Sequence, residues 1–170
     1  MKTFGSSGLN VDVQKLRKLW ESIQRCRRCR NFNVIKPQPS FPRTCKIMII
    51  GQNPSPRWTR NRQIWAGLDR LPRFEEEIKP ILKEAYITNV VKCVGKASMK
   101  KARVCGEWLK QEIEILRPRR IIGVGKLACD WLDIEDYEAF TLRYHPSYVL
   151  RFRRKEVSTY VRRLKRLLQV

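Results

Sequence analysis

The cysteines are the residues of this chain best suited to chemistry, and four of the six are spaced as ligands. Cys26 and Cys29 form a C-x2-C pair, and single cysteines follow at Cys93 and Cys105. Thiolates are soft ligands that bind zinc or iron–sulfur clusters. A structural zinc site normally draws on two close pairs, whereas here only one pair is close. The spacing therefore indicates a soft metal or iron–sulfur centre. Cys45 and Cys129 lie in apolar surroundings and are predicted to be buried packing residues.

The charge of the chain indicates a polyanionic partner. Lys and Arg number 37 against 16 Asp and Glu, a formal charge of +21 that is spread along the whole sequence. A surface that served only solubility would carry balancing acids, so we expect a nucleic acid as partner. An anionic membrane surface is the weaker alternative, because no predicted helix opposes a bulky aromatic face to its cations. The apolar runs are too short to span a bilayer.

Three polar segments interrupt the apolar pattern at places where ligands usually bind. Gly51–Pro54 follows one strand-like run, Asn89 ends another, and His145-Pro-Ser147 follows a third. Each has an ordinary alternative: Asn53 before a proline could start a turn, and a lone histidine is more often a surface or core residue. Asn89 is harder to dismiss, because a buried amide needs hydrogen-bond partners.

The elements that must position these residues alternate between helix and strand. Asp12 is predicted to cap a helix with Val13, Leu16, Trp20 and Ile23 on its apolar face, and Pro80 to kink or split the helical stretch 74–85. The other predicted elements are strands at Cys45–Ile50, Ala85–Val91, Arg120–Val124 and Phe140–Tyr144, helices at 104–116 and Lys126–Leu132, and a last helix burying Val157, Val161, Leu164 and Leu168. This order predicts an α/β fold, a three-layer α/β/α sandwich around a central four-stranded parallel sheet. Ligands of such sheets bind beyond the carboxyl ends of the strands.

Five segments together resemble the uracil-DNA glycosylase superfamily, most closely its iron–sulfur members of the family-four type. Tyr86-Ile-Thr-Asn-Val-Val-Lys-Cys93 is similar to their strand-plus-cysteine signature, and His145-Pro-Ser-Tyr-Val-Leu-Arg151 to their second catalytic motif. Gly51-Gln-Asn-Pro-Ser55 is similar to the first motif of the superfamily. With the C-x2-C pair and Cys105, the resemblance covers roughly residues 20–165 in the right order.

The resemblance implies a role for each segment. Asn53 would orient the attacking water, His145 would hydrogen-bond the base carbonyl as negative charge develops, and Asn89 would read the pyrimidine edge. Gln52 and Trp65 would contact the base, although Trp65 could instead be a core anchor. The four thiolates of Cys26, Cys29, Cys93 and Cys105 would hold a 4Fe-4S cluster. The resemblance also implies a DNA contact surface at Pro54, Ser55, Ser147, Tyr148, Leu150, Arg151 and Arg153, with Leu150 as a wedge between base steps unless the segment is an ordinary basic loop.

The first motif departs from the iron–sulfur members of the resembled family. Those members usually carry an acidic residue at the position of Gln52 and a small residue at that of Asn53. Gly-x-Asn-Pro instead resembles the mismatch-specific and single-strand-selective branches. Because an asparagine cannot act as a general base, it can only position water. The departure bears on rate and substrate range rather than on the class of reaction.

These features predict a monofunctional DNA repair glycosylase that removes a flipped-out deaminated base, uracil first, and leaves an abasic site. One alternative keeps the reaction but prefers hypoxanthine, xanthine or a mismatched base, and another is a non-catalytic, zinc-stabilised nucleic-acid-binding module. Residues 1–10 are predicted to be a flexible leader and residues 11–170 a single domain. We expect a monomer that works on DNA in the reducing cytoplasm.

Overall fold

The computed structural model describes residues 11–29, 36, 39, 41, 43–55, 69–82 and 85–169. The predicted leader at 1–10 and Trp65 lie outside these residues. Among the described residues no helix has the length and apolarity needed to cross a membrane.

A parallel sheet organises the molecule. Its strands are β1 Ile47–Gly51, β2 Ala85–Asn89, β3 Arg120–Val124 and β4 Phe140–Leu142, in the spatial order β2-β1-β3-β4. Ile47 pairs with Ala85 on one side and with Arg120 on the other, and Ile122 pairs with Phe140. All three pairings are parallel. The predicted fold class is confirmed.

Helices cover both faces of the sheet. They are α1 Val13–Gln24, a π-helical turn Phe74–Ile78 that continues into α2 Lys79–Leu82, α3 Met99–Leu116, α4 Lys126–Ile134, α5 Pro146–Phe152, a 3-10 turn Arg154–Glu156, and α6 Val157–Leu168. The predicted cap of α1 is present, since the Asp12 carboxylate accepts a hydrogen bond of 2.8 Å from the Lys15 amide.

Alternate residues of each strand enter opposite cores. Met48 and Ile50 belong to the core formed with the apolar faces of α1, α3 and α4. Ile47 and Ile49 belong to the core formed with α2, α5 and α6. Because both faces of β1 are buried, the strand reads as a continuous apolar run rather than an alternating one.

Pro80 splits its helical stretch as expected. Proline lacks the amide hydrogen that an α-helix needs at its interior positions. The chain accommodates it in the first turn of α2, directly after the wide π turn in which the Lys79 amide donates to the Phe74 carbonyl. The split keeps Phe74 and Ile78 buried on the sheet.

Helix α3 begins five residues earlier than the predicted 104–116. Its first turns carry Met99, Ala102 and Cys105 at helical spacing, but the lysines and arginine between them weaken the apolar signal. The start is set by Ser98, whose hydroxyl accepts the Lys101 amide at 3.3 Å. The strand after Ala85 also ends at Asn89 and not at Val91, and the strand from Phe140 ends at Leu142 and not at Tyr144.

The segment after His145 is a helix, and sequence reasoning did not find it. Pro146 stands at its first position, where proline is favoured because its missing amide hydrogen is not needed there. The His145 ring accepts the Ser147 amide and caps the turn. Leu150 and Arg151 therefore lie on α5 and not in a loop.

Candidate active site

The three predicted polar segments meet at the carboxyl edge of the sheet. Asn89 ends β2 and pairs with Gly51, the last residue of β1. The segments that follow β1 and β2 remain hydrogen-bonded to each other. The Val90 and Val91 amides donate to the Gly51 and Gln52 carbonyls at 2.9 Å. The strand order thus places the Asn53 segment between Asn89 and the segment that follows β4.

His145 lies at the same carboxyl edge, after β4, the strand farthest from β2 in the sheet. The end of β4 is joined to the β3 side by a 2.8 Å hydrogen bond from the Gly125 amide to the Leu142 carbonyl. Gly125 has a φ of +88°, a conformation that favours glycine, and a Cβ added there would lie 3.9 Å from the His145 Cβ. The turn after β3 therefore packs closely against the histidine.

Hydrogen bonds from Ser147, two residues along the chain, set the tautomer of His145. The Ser147 amide donates to Nδ1 at 3.3 Å, and the Ser147 hydroxyl lies 2.7 Å from the same nitrogen. With Nδ1 acting as acceptor, the ring proton sits on Nε2. Burial lowers the pKa of His145 from 6.5 to about 4. The imidazole is therefore neutral at physiological pH and is a donor at Nε2.

Asn53 is half-buried, and its amide group is already oriented. Nδ2 donates to the Gly95 carbonyl at 2.6 Å and to the Pro54 carbonyl at 3.2 Å. Gly95 has a φ of +121°, which favours glycine in this loop. With both amide hydrogens engaged, the functional group that Asn53 offers is the acceptor Oδ1.

Asn89 presents a buried acceptor. The residue is only 5% exposed. In the described part of the chain its Oδ1 has no hydrogen-bond partner. Burying a carbonyl without a partner costs free energy, so this atom is suited to receive an N–H from a ligand.

A profile of the Uracil DNA glycosylase superfamily matches residues 38–169, well over half of the chain. The chain belongs to this superfamily. It is also 23% identical over 159 residues to the Type-4 uracil-DNA glycosylase of Sulfurisphaera tokodaii, covering 85% of this chain and 71% of that protein. It is 37% identical over 46 residues to the Type-5 uracil-DNA glycosylase of Pyrobaculum aerophilum, covering 25% of this chain and 20% of that protein.

A buried lysine supports Asn89 in this superfamily member, and sequence reasoning missed it. Lys92 is 2% exposed, and its Nζ donates to the Asn89 carbonyl at 2.7 Å and the Thr88 hydroxyl at 2.9 Å. The same Nζ lies 2.5 Å from Oε2 of Glu112 on α3, which is 0% exposed. The ion pair thus ties the end of β2 to α3.

Tyr86 and Trp20 complete the buried network. The Tyr86 hydroxyl donates to Glu112 Oε1 at 2.7 Å and accepts the Trp20 indole N–H at 2.8 Å. Burial, together with the negative charge of Glu112, raises the pKa of Tyr86 well above its usual value. A signal was available in the sequence, because Glu112 lies on the same helical face as Leu109 and Leu116, where a charge needs a partner.

The four predicted ligand cysteines approach one another. Cys26 and Cys29 follow α1 and are half-buried, as is Cys93 in the loop after β2, while Cys105 is buried on α3. Burial raises the pKa of the Cys93 thiol, and Cys105, Cys29 and Cys26 raise it further. Within the described ranges no three acidic, histidine or cysteine side chains form a compact group around a single metal ion.

The other two cysteines are packing residues, as predicted. Cys45 is 3% exposed and Cys129 is 2% exposed. Burial raises the pKa of Cys45 to about 12 and also raises that of Cys129. Their Sγ atoms lie 3.5 Å from the Ile47 and Gly123 carbonyls.

The predicted contact residues of the first motif differ in exposure. Gln52 is exposed, Pro54 is buried, and Ser55 is half-buried. The Ser55 hydroxyl is buried and has no hydrogen-bond partner among the described residues. Trp65, the predicted stacking residue, lies outside the described residues, so its role stays a prediction.

The predicted contact residues of α5 and the turn after it also differ. Leu150 is half-buried and packs against the α2–α5–α6 core, whereas Tyr148 and Arg151 are exposed. Arg153 is held by the protein itself: its guanidinium lies 2.7 Å from Glu156 and 4.2 Å from the centroid of the Tyr144 ring. The Ser147 side chain is directed to His145.

Proposed function

We propose that the protein is a monofunctional DNA glycosylase that hydrolyses the N-glycosidic bond of a flipped-out deaminated base, uracil first, and leaves an abasic site. The observation that carries the proposal is the buried Oδ1 of Asn89, which has no hydrogen-bond partner among the described residues and lies at the same sheet edge as neutral His145 and pre-oriented Asn53. The similarity to proteins named as Type-4 and Type-5 uracil-DNA glycosylases supports uracil as the first base to test.

Asn89 would recognise the base by its edge. Uracil offers an N–H flanked by two carbonyls, and an asparagine amide offers an acceptor beside two donor hydrogens. The Asn89 Oδ1 would accept the N–H, and its Nδ2 would donate to the adjacent carbonyl. The Lys92 ammonium fixes the main chain of Asn89 and so orients this amide.

His145 would stabilise the departing base. Breaking the bond leaves negative charge on the base, and a donor already aimed at a base carbonyl lowers the energy of that state without reorganisation. A neutral imidazole with its proton on Nε2 is such a donor. Because Nδ1 accepts from Ser147, the tautomer is set before the substrate binds.

Asn53 would position the water. Its Oδ1 can accept one hydrogen of a water molecule and direct an oxygen lone pair at the sugar carbon, which carries developing positive charge. The amide cannot remove a proton, so the water attacks an oxocarbenium-like centre while still protonated, and its proton passes to solvent water once the C–O bond forms. The bond from Nδ2 to the Gly95 carbonyl prevents the amide from rotating.

A 4Fe-4S cluster is part of the proposal, held by Cys26, Cys29, Cys93 and Cys105. In a cluster each thiolate binds a different iron, so its ligands spread more widely than those of a single ion, in agreement with thiols that interact without forming a compact group. Trp108, one turn after Cys105, has a buried indole N–H with no partner among the described residues, and cluster sulfurs accept such hydrogen bonds. The cluster would supply a cross-link between the α1 end and α3, and the chemistry belongs to Asn53, Asn89 and His145.

The function is tested by base release from a panel of single-lesion oligonucleotides. Uracil, hypoxanthine, xanthine and mismatched duplexes, with matching single strands, are incubated with the purified protein and abasic sites are quantified. We expect release from uracil DNA, reduced at least 100-fold in His145→Ala and Asn53→Ala, within the range that catalytic donors and water-positioning groups contribute. Gln111→Ala, which removes an exposed amide on α3, should match the unsubstituted protein.

The outcomes separate the alternatives. Release from hypoxanthine or mismatched DNA in place of uracil would retain the reaction and change the substrate. No release from any duplex or single strand would leave a nucleic-acid-binding module and overturn the proposal.

The cluster is tested by colour and by iron and sulfide content. We expect a brown protein with about four irons per chain. Cys29→Ser should lose iron and colour, whereas Cys129→Ser, the matched control at a buried thiol, should keep both. A colourless protein with bound zinc would contradict the cluster. Size-exclusion chromatography of the same samples tests the proposed monomer.

A further inference from the structure

Three exposed aromatic rings form a column next to the candidate active site. Tyr144 lies two residues before α5, and Tyr148 and Phe152 lie one turn apart on one side of that helix. The first two rings stack with centroids 5.3 Å apart and planes inclined by 13°, and the second pair has centroids 5.1 Å apart and planes inclined by 47°. Their exposed fractions are 40%, 43% and 64%. We call these residues the aromatic column.

Positive charge surrounds the aromatic column. The Arg153 guanidinium lies 4.2 Å from the Tyr144 centroid and the Arg151 guanidinium 5.7 Å from that of Phe152. Arg154 and Lys155 follow and are exposed. Tyr148 and Phe152, together with these cations, line an open groove of about 640 Å³.

The groove is therefore cationic in net effect. Of the described residues that line it, the acidic one is Glu156, and Arg153 pairs with it at 2.7 Å. A groove with aromatic faces, and with more cations than acids among the described residues that line it, is complementary to a strand of bases on a phosphate backbone. A purely apolar protein segment would leave the cations without partners.

We propose that the aromatic column is a stacking platform for unpaired bases of single-stranded DNA beside the lesion. The inference rests on the proposed function, because it takes DNA as the partner. It adds that the DNA bound beside the lesion is single-stranded. His145 immediately follows Tyr144, so a strand whose damaged base reaches His145 would carry its neighbouring nucleotides over the column. Stacking tolerates every base, since each has a π-face.

Unpaired bases fit this surface better than a duplex does. A wedge between two base pairs is a single protruding side chain. Leu150, the predicted wedge, packs against the core, and the column presents a row of rings in its place. In a duplex the base faces are already covered by their neighbours, whereas a single strand or an open bubble exposes them.

The test is binding of lesion-free DNA, measured by fluorescence anisotropy with the full chain. The probes are a labelled 15-mer of thymidine and the same strand paired with its adenosine complement. Phe152→Ala should weaken single-strand binding about 5- to 150-fold, the range measured when one stacking aromatic is removed. Duplex binding should change less than about 2-fold, and Phe140→Ala, at an aromatic that is 49% exposed on β4, should change neither.

Two further variants distinguish stacking from wedging. Phe152→Trp keeps a π-face and should retain single-strand binding, whereas Phe152→Leu keeps apolar bulk but loses the face and should match Phe152→Ala. Wild-type binding by Phe152→Leu, or equal losses on duplex and single strand, would overturn the platform. Because the probes carry no lesion, a protein that binds in this pattern but releases no base would refute the proposed function and leave this inference standing.

Discussion

His145 shows how much of a site is set by its nearest neighbours in sequence. Ser147 holds Nδ1 as an acceptor through its amide and its hydroxyl. Burial then keeps the imidazole neutral. A His-Pro-Ser sequence therefore encodes the helix start, the tautomer and the charge state of the same side chain.

The first prediction concerns the titration of this histidine. It is the one histidine in the chain, so its ring protons can be followed by NMR without ambiguity. Because burial lowers the pKa to about 4, we expect no titration step near pH 6.5 in the folded protein. A midpoint near 6.5 would show that burial does not lower the pKa of His145 in the folded protein.

The same shift makes stability depend on pH. Above about pH 6.5 the ring is neutral in the folded and unfolded chains, so the protonation of His145 does not change the free energy of unfolding. As the pH falls from 6.5 towards 4, the unfolded chain takes up a proton that the folded chain does not bind, and the free energy of unfolding decreases. Urea unfolding should show that this decrease is smaller in His145→Gln, measured between pH 7 and pH 5.

At the scale of elements, the end of β2 depends on a charge contributed by α3. The Lys92–Glu112 pair is buried and joined by hydrogen bonds to Tyr86 and Thr88. Removing one partner leaves a buried charge without compensation, whereas replacing both with apolar groups removes the need for it. The pair therefore acts as one unit.

The second prediction is a non-additive double-mutant cycle. Glu112→Leu and Lys92→Met should each lower the free energy of unfolding by roughly 3–5 kcal/mol, and the double variant should lose clearly less than the sum. Chemical denaturation of the unsubstituted protein, the two single variants and the double variant measures the four free energies of unfolding. Additive losses would show that the ion pair does not couple β2 to α3.

The third prediction concerns the contact between α3 and α4. A Cβ added at Gly106 would lie 2.5 Å from Nε1 of the buried Trp131 ring. Gly106→Ala should therefore lower the free energy of unfolding by roughly 1–3 kcal/mol through overpacking, although alanine is the better helix former. Arg103→Ala, at an exposed position of α3, should have little effect in the same thermal melts.

The sequence predicted the sheet well and the ends of its elements less well. Ile47–Gly51 and Arg120–Val124 are short apolar runs between turn residues, and such runs are reliable signals of buried strands. The start of α3 and the short α5 carry only a weak apolar period, so the caps at Ser98 and His145 are the clearer marks of where they begin. Partners distant in sequence, such as Glu112 for Lys92, depend on the packing of whole elements and cannot be read from local pattern.

At the scale of the whole molecule, the net charge of +21 should dominate nonspecific DNA binding. Each phosphate neutralised on duplex DNA releases counterions, so the logarithm of the binding constant should fall linearly with the logarithm of the salt concentration. Our fourth prediction is that Arg154→Gln reduces this slope by about 0.9, while Phe152→Ala leaves it unchanged, because stacking releases no counterions. Anisotropy titrations from 50 to 200 mM salt, a range chosen for a strong effect, measure both.

The sheet order has a consequence for how the protein folds. β3 and β4 are joined through α4 alone, so they close a short loop, whereas β1 must find β2 and β3 across much longer stretches of chain. Short loops close at lower entropic cost and contacts between distant residues form slowly. The part that carries His145 can therefore assemble early, but Asn53 joins Asn89 and His145 only when the central strand docks. We therefore expect the candidate site to be completed by the pairings of longest sequence separation, so that a chain that has folded incompletely holds His145 without Asn53.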